Sequence, residues 1–395
     1  MKKLTFATGL ILFALTTVQA TASDIPKQGE RPEHLINLLP AGELKTKLLS
    51  CRGQEMTPTK FSIGHRGAPF RYPEHTVQSY RAAAAMGAGI VECDVTFTKD
   101  KELVCRHSQN DLHKTTNIVA TDLASKCTRP FAPAADGGKA TAECRTSDLT
   151  LSEFLSLDGK KDGADVKATT AAAYLKQATP TGQLITHQQS IALLKSLNVD
   201  FTPELKSPKE QMPFDGMSQQ DYAQKMIDTY KEADIDPSRV WPQSFNLKDI
   251  LYWIENEPEF GKQAIFLDSR YRKGLDIENP DSFTPSMAEL KGMGINYLAP
   301  PLWMLVTAKE GKIVPSAYAK EAKAAGLKLI AWSLERSGDL SQKQGGWYYQ
   351  SISELVKDDG ATYQLLHVLA QDVGVTAVFS DWPETTTYYA NCYGL

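Results

Sequence analysis

Phe61-Ser62-Ile63-Gly64-His65 and Ile90-Val91-Glu92-Cys93-Asp94 open the pattern that decides the fold. Each is a short apolar or β-branched run that ends in a chemically active side chain. With these two, short apolar or β-branched runs stand at Phe61–His65, Ile90–Asp94, Phe201–Lys206, Val240–Phe245, Ala264–Asp268, Tyr297–Pro300, Leu327–Leu334 and Ala377–Asp381, eight in all. Longer helical stretches separate them, an alternation that predicts βα units and a parallel sheet. Eight such units are what a closed (β/α)8 barrel, the TIM barrel of the α/β class, requires.

The stretches between carry helix punctuation. Thr76 to Gly87 has an N-cap candidate and a glycine stop. Thr186 with Gln189 fits a capping box ahead of Ile191–Leu197. Pro315 to Gly326 begins at proline and ends at glycine. One interval breaks the rhythm: about a hundred residues separate Asp94 from Phe201. Its start, Thr96 to His107, reads as a hairpin turning at Lys99-Asp100-Lys101. The rest is expected to be an insertion, residues 108–185, carrying part of the substrate pocket; the Ala/Thr/Gly/Lys-rich Asp158–Ala173 reads nearly as well as a loop without function. The expected map is an export signal at 1–22, an extension at 23–60 with a short helix near Gly42 to Leu49, the barrel at 61–385, and a C-terminal tail at 386–395.

The export signal rests on Lys2 and Lys3, the apolar run from Leu4 to about Thr17, and small residues at Val18-Gln19-Ala20 and Ala20-Thr21-Ala22. That core is short of the roughly 20 apolar residues a bilayer span needs. The expectation is a periplasmic or secreted protein without stable membrane insertion. Loss of Lys2 and Lys3 leaves 41 basic residues against 47 acidic ones, a net charge of −6. That balance argues against nucleic-acid binding, which rests on Lys and Arg neutralising phosphates. Export permits disulfides. Among six cysteines, Cys127 with Cys144 is the preferred pair, and Cys51 with Cys392 could tie the two ends. Cys93 and Cys105 are left unassigned, and no C-x-x-C suggests a zinc site.

The chemistry concentrates at predicted strand ends, where barrels of this kind place their sites. His65-Arg66 closes the first strand, and Pro73-Glu74-His75-Thr76 follows in the next loop. In the second strand, alternation puts Glu92 and Asp94 on one face and Cys93 on the other. Glu204 and Lys206 share a face at the end of the third. Carboxylates facing one interior repel and lose hydration, which is costly unless a cation lies among them. All-oxygen ligands suit one hard divalent cation, Ca²⁺ or Mg²⁺, better than zinc. His107 returns on the hairpin toward Glu92 and Asp94. His75 could line the site or cap the following helix; His113 and His187 read as structural. Trp332 and Phe245 sit at predicted strand ends, where they could line the leaving-group side or pack the core, while Asp381-Trp382-Pro383 reads as fixing the last turn.

His65-Arg66, Glu92-x-Asp94 and His107 together resemble the signature of the glycerophosphodiester phosphodiesterases, written HR, ExD, HD. The flanks HRGAP at His65–Pro69, PEHT at Pro73–Thr76 and TKDKELV at Thr98–Val104 are similar too. So are ELK at Glu204–Lys206, QSF at Gln243–Phe245, AWS at Ala331–Ser333 and FSDWP at Phe379–Pro383. The resemblance implies a metal-assisted barrel enzyme that splits small glycerophosphodiesters into glycerol 3-phosphate and an alcohol. It implies Glu92, Asp94 and Glu204 as metal ligands, His65 and His107 as the acid–base pair, and Arg66 and Lys206 as phosphate-holding groups. One departure stands out: Ser108 occupies the place of the family aspartate, and Gln109 or Asn110 is the candidate to substitute for it. Two other readings compete, a phospholipase D-like relative acting on lysophospholipids or sphingolipids and a non-catalytic exported phosphodiester-binding protein.

Overall fold

A computed structural model of the chain describes residues 29–135, 137–176 and 181–395. The expected export signal lies outside these residues. Eight parallel strands form a closed barrel in the order Thr59–Gly64, Ala88–Phe97, Asp200–Leu205, Gln243–Ser244, Ile265–Leu267, Tyr297–Ala299, Lys328–Leu334 and Ala377–Ser380. The last pairs with the first, Ile63 opposite Phe379. The hairpin strand Leu103–Cys105 adds to the second strand antiparallel, Val95 opposite Cys105.

Alternation along the strands divides the apolar residues into two cores. Ile63, Ile90, Ile265, Leu267, Ile330 and Phe379 fill the barrel. Phe61, Val91, Phe201, Leu298 and Val378 point outward, against the surrounding helices. The helices are capped where the sequence predicts. Thr76 accepts from Ser79 N–H at the start of Val77–Ala85, and Thr186 and Gln189 form a capping box on His187–Ser196. The helix read from Pro315 begins later. Pro315 ends a short strand, and Ser316 caps Ala317–Ala324.

Two expectations need correction. The run Val240–Phe245 pairs as a strand only at Gln243–Ser244, while Val240 makes an isolated bridge to Phe201. Pro242 lies between them, and proline cannot donate to a ladder. The segment expected as a C-terminal tail at 386–395 is mostly helix, Glu384–Tyr393, with Thr385, Tyr389 and Cys392 buried. Its threonines, tyrosines and asparagine are weak helix formers, so tertiary contacts hold it. Ser62 and Thr386 share a hydrogen bond of 2.7 Å, Tyr388 donates to Leu48 O at 2.7 Å, and Cys392 is bonded to Cys51.

The segment between the hairpin and the third barrel strand has its own apolar core, around Leu112, Ile118, Phe154, Leu157 and Tyr174. The Cys127–Cys144 disulfide closes it. Asp158–Gly159 pairs with Gly182–Gln183, and both glycines press on the loop after the first strand. A Cβ on Gly182 would stand 2.6 Å from Thr76 Cγ2, so only glycine allows this approach.

The unassigned cysteines form a third disulfide, Cys93–Cys105, on the outward face of the hairpin. His187 packs on it, with Nδ1 3.6 Å from Cys93 Sγ, and its ring meets Tyr230. Burial lowers the His187 pKa to about 4. Its folded value lies below the unfolded one, so its contribution is present above pH ~6.5 and is lost as pH falls toward 4. Denaturant titrations should show wild type losing about 2 kcal/mol more than His187→Leu between pH 7 and 4.5. Equal losses would contradict this environment for His187.

Candidate active site

The site is built at the carboxyl ends of the strands. Pairing of the second and third strands sets Asp94 opposite Glu204, with Glu92 two residues earlier on the same face. Glu92, Asp94 and Glu204 are all buried, and one carboxylate oxygen from each lies within 4.8 Å of the others. Asp94 Oδ1 is buried without a hydrogen-bond partner. Burial, then repulsion from Asp94 and Glu204, pushes the Glu92 pKa well up. Burial also raises Glu204 to about 8 against the pull of Lys206, whose Nζ is 2.6 Å from Glu204 Oε1. Three crowded carboxylates, one with an orphan oxygen, fit a hard divalent cation.

The turn after the first strand folds the HR pair inward. Arg66 and Gly67 take φ of 55° and 91°. A Cβ on Gly67 would stand 2.7 Å from the Ser79 carbonyl carbon. The Arg66 N–H donates to Glu92 Oε2 at 2.9 Å, and its guanidinium meets Glu74 Oε2 at 3.0 Å and Asp94 Oδ2 at 3.7 Å. Burial alone would lower the Arg66 pKa, but Glu74, then Asp94 and Glu92, outweigh it and keep the cation charged. His75 is fully buried and serves the carboxylates: its Nε2 is 2.9 Å from Asp94 Oδ2 and its Nδ1 3.0 Å from the Tyr80 hydroxyl. Burial lowers the His75 pKa to about 4, so it is neutral, donating to Asp94 and accepting from Tyr80. It does not cap the helix; Thr76 does.

His65 Nε2 lies 3.8 Å from Glu92 Oε2, and its Nδ1 is 2.5 Å from Asp381 Oδ1. Asp381 was expected to fix a turn; instead its side chain holds a site histidine, because barrel closure sets the last strand beside the first. His107 is half-buried, close to Arg66, Lys206, Asp94 and Glu74. The carboxylate at His107 is neither residue expected to replace the family aspartate. Glu74, His107 and Asp111 each place a ligand atom within 4.8 Å of the others, and Asp111 accepts the Ser108 N–H at 3.0 Å. Gln109 turns away to the Lys209 and Glu210 amides, and Asn110 accepts from the Ser108 hydroxyl.

Trp332 and Phe245 make no polar contact with these groups. They meet edge to face, ring centroids 5.9 Å apart, and Trp332 continues to Trp347 and Tyr348. Tyr348 brings this aromatic wall near Arg66 and Arg336. Gln243, read only as part of a strand motif, donates to Glu92 Oε1 at 2.8 Å.

Carboxylates, histidines and cations gathered at the mouth of a closed eight-stranded barrel define a class, the (β/α)8-barrel enzymes. Within it the family follows from sequence: the profile of the "Glycerophosphoryl diester phosphodiesterase family" matches residues 65–385, and the chain belongs to that family. It is 44% identical to an "Extracellular protein" of Arthroderma benhamiae over 247 residues, which cover 59% of this chain and 100% of that one. It is 24% identical to a glycerophosphodiester phosphodiesterase of Haemophilus influenzae, over 89% of this chain and 96% of that one. A crystal structure of a putative glycerophosphoryl diester phosphodiesterase from Silicibacter pomeroyi shares the fold, with TM-score 0.55 and 19% identity over 88% of this chain and 98% of that one. Among the described residues no helix is long and apolar enough to cross a membrane.

Proposed function

We propose that this chain, a glycerophosphodiester phosphodiesterase by family, hydrolyses small glycerophosphodiesters to glycerol 3-phosphate and an alcohol with one divalent cation, Ca²⁺ or Mg²⁺. The observation that carries this reading is the convergence of Glu92, Asp94 and Glu204 between His65 and His107. These three carboxylates would hold the cation, which when bound supplies charge stabilisation at the phosphoryl oxygens. Arg66 and Lys206 bind the non-bridging oxygens, the first as a planar fork and the second as a point charge.

Proton movement falls to the two histidines. Burial, then Arg66 and Lys206, lowers the His107 pKa well below its ordinary value, so His107 is neutral and suits the base. Burial also lowers His65, but Asp381 opposes the shift, so His65 suits the acid that protonates the leaving alcohol. The attacking oxygen is water, or a glycerol hydroxyl that first gives a cyclic phosphate. Trp332 and Phe245 line the leaving-group side. Export through a cleaved signal at 1–22 fits the three disulfides among the described residues and the extracellular relative.

The test follows the phosphorus products by NMR, with glycerophosphocholine and lysophosphatidylcholine offered in parallel. Glycerol 3-phosphate from the soluble diester is expected. Turnover of the lysolipid alone would replace this reading with the lipid-active one, and binding without turnover of either would make the protein a binder.

Asp381 acts here as a positioning residue. Asp381→Asn is expected to lower kcat about 10- to 100-fold, with KM nearly unchanged, since general acid help is worth ~10²–10⁴ and part of it survives. The alkaline limb of the pH–rate profile should also move down, because the carboxylate no longer holds the His65 proton. A fall in kcat with no shift of that limb would assign Asp381 a purely structural role.

A further inference from the structure

Four cations of the described residues, Arg270, Lys160, Arg336 and Lys161, differ in how fully they are partnered. Arg270 is saturated: Asp268 takes three of its hydrogen bonds, at 2.7 to 3.1 Å, and Pro285 O another. Lys160 is buried, its ammonium held by the carbonyls of Lys114, Lys161 and Gly163 at 2.6, 3.0 and 2.6 Å. Both are structural, and Lys160 fixes the turn that follows it.

Arg336 and Lys161 differ. Arg336 follows the seventh barrel strand and makes one hydrogen bond among the described residues, 3.3 Å to Asp381 Oδ2. Its other ionic contacts are long, 3.5 Å to Glu74 and 3.9 Å to Asp162. Its side chain is 22% exposed, and Arg66 lies close enough to repel it. Lys161, from the insertion turn that Lys160 fixes, is half-buried, and its ammonium has one hydrogen-bond partner among the described residues, the Phe70 carbonyl at 2.5 Å. Asp381 and Arg336 are among its charged neighbours. A guanidinium and an ammonium with unused donors therefore stand at the mouth, beside the aspartate that holds His65. Groups desolvated in this way without a full set of partners gain most from an incoming anion.

We propose that Arg336 and Lys161 form an anion subsite that receives a carboxylate or phosphate on the alcohol of the substrate, so that the enzyme favours diesters whose alcohol is itself anionic. The inference rests on the hydrolytic reading above and adds the substrate class. The reacting phosphate lies at Arg66 and the carboxylates, and the second negative charge lies outward, against the aromatic wall. Asp162, exposed and weakly paired, is the group the anion displaces.

The test compares kcat/KM for glycerophosphoserine, a glycerophosphodiester bearing a phosphate on its alcohol, and glycerophosphocholine. Wild type should favour at least one anionic diester over the choline diester by about tenfold or more, the scale of one partly screened charge pair. Lys161→Gln should collapse that ratio toward unity, and Asp162→Asn should raise it. The carboxylate and phosphate arms identify which anion the subsite takes. A wild-type ratio at or below unity for both, or a ratio unchanged in Lys161→Gln with its thermal melt intact, would overturn the proposal. Calorimetric Kd values for the same diesters keep the two readings apart. If no diester is hydrolysed, the hydrolytic reading fails, and the Kd ratio still decides: equal Kd values overturn the subsite, and tighter anionic binding lost in Lys161→Gln supports it.

Discussion

Glu204→Gln should cost at least about 10³-fold in kcat/KM, because a divalent cation at the phosphoryl oxygens contributes several kcal/mol of transition-state stabilisation. The cations beside the buried carboxylates satisfy them only in part. Lys206 meets Glu204, Arg66 approaches Asp94, and Asp94 Oδ1 remains unpartnered. The same substitution should have the opposite effect on the metal-free fold. Burial holds the Glu204 pKa at about 8, so its folded value lies above the unfolded one, and the energetic cost of its charge appears as pH rises toward 8. Removing that charge should stabilise the metal-free protein by on the order of 1 kcal/mol at pH 8. Thermal melts with and without cation test both signs. The cation should raise the wild-type melting temperature and leave that of Glu204→Gln nearly unmoved. A cation response retained in the variant would remove Glu204 from the ligand set.

The histidine pair gives the second large effect. His107→Ala and His65→Ala should each lower kcat by about 10²–10⁴-fold, the usual worth of a positioned acid or base. Their pH profiles should differ. Among the described residues no carboxylate hydrogen-bonds His107 directly, whereas His65 has Asp381 at 2.5 Å. Loss of the base should remove the acidic limb of the kcat profile, and loss of the acid the alkaline limb. Because the two act in one proton relay, the double variant should cost little more than the worse single one. Additive losses, or profiles that keep both limbs in each variant, would contradict the assignment.

Much of this was legible in the sequence for a physical reason. Strand alternation fixes Glu92 with Asp94 and Glu204 with Lys206 before any tertiary contact is known, and barrel order sets those strands side by side. What the sequence hid depends on closure and register. Asp381 is 316 residues from His65, and only the pairing of the last strand with the first joins them. Alternation turns Cys93 away from the carboxylates, yet its pairing with Cys105 follows from a hairpin register that alternation alone does not supply. Asp111 stands further along the chain than Ser108, Gln109 and Asn110, and only the bend at Ser108 brings its carboxylate back to His107. The terminal helix lacked helical propensity and is held by Tyr388, Thr386 and Cys392. Arg336 and Lys161 carry no local signal, since only the folded molecule reveals that their donors go unused.

The most direct measurement is glycerol 3-phosphate release from glycerophosphocholine by metal-stripped protein, with Ca²⁺ or Mg²⁺ added back, beside Glu204→Gln. No release is expected without cation, with saturable recovery on adding one of the two and silence in the variant. Full release by folded protein in excess chelator would contradict this.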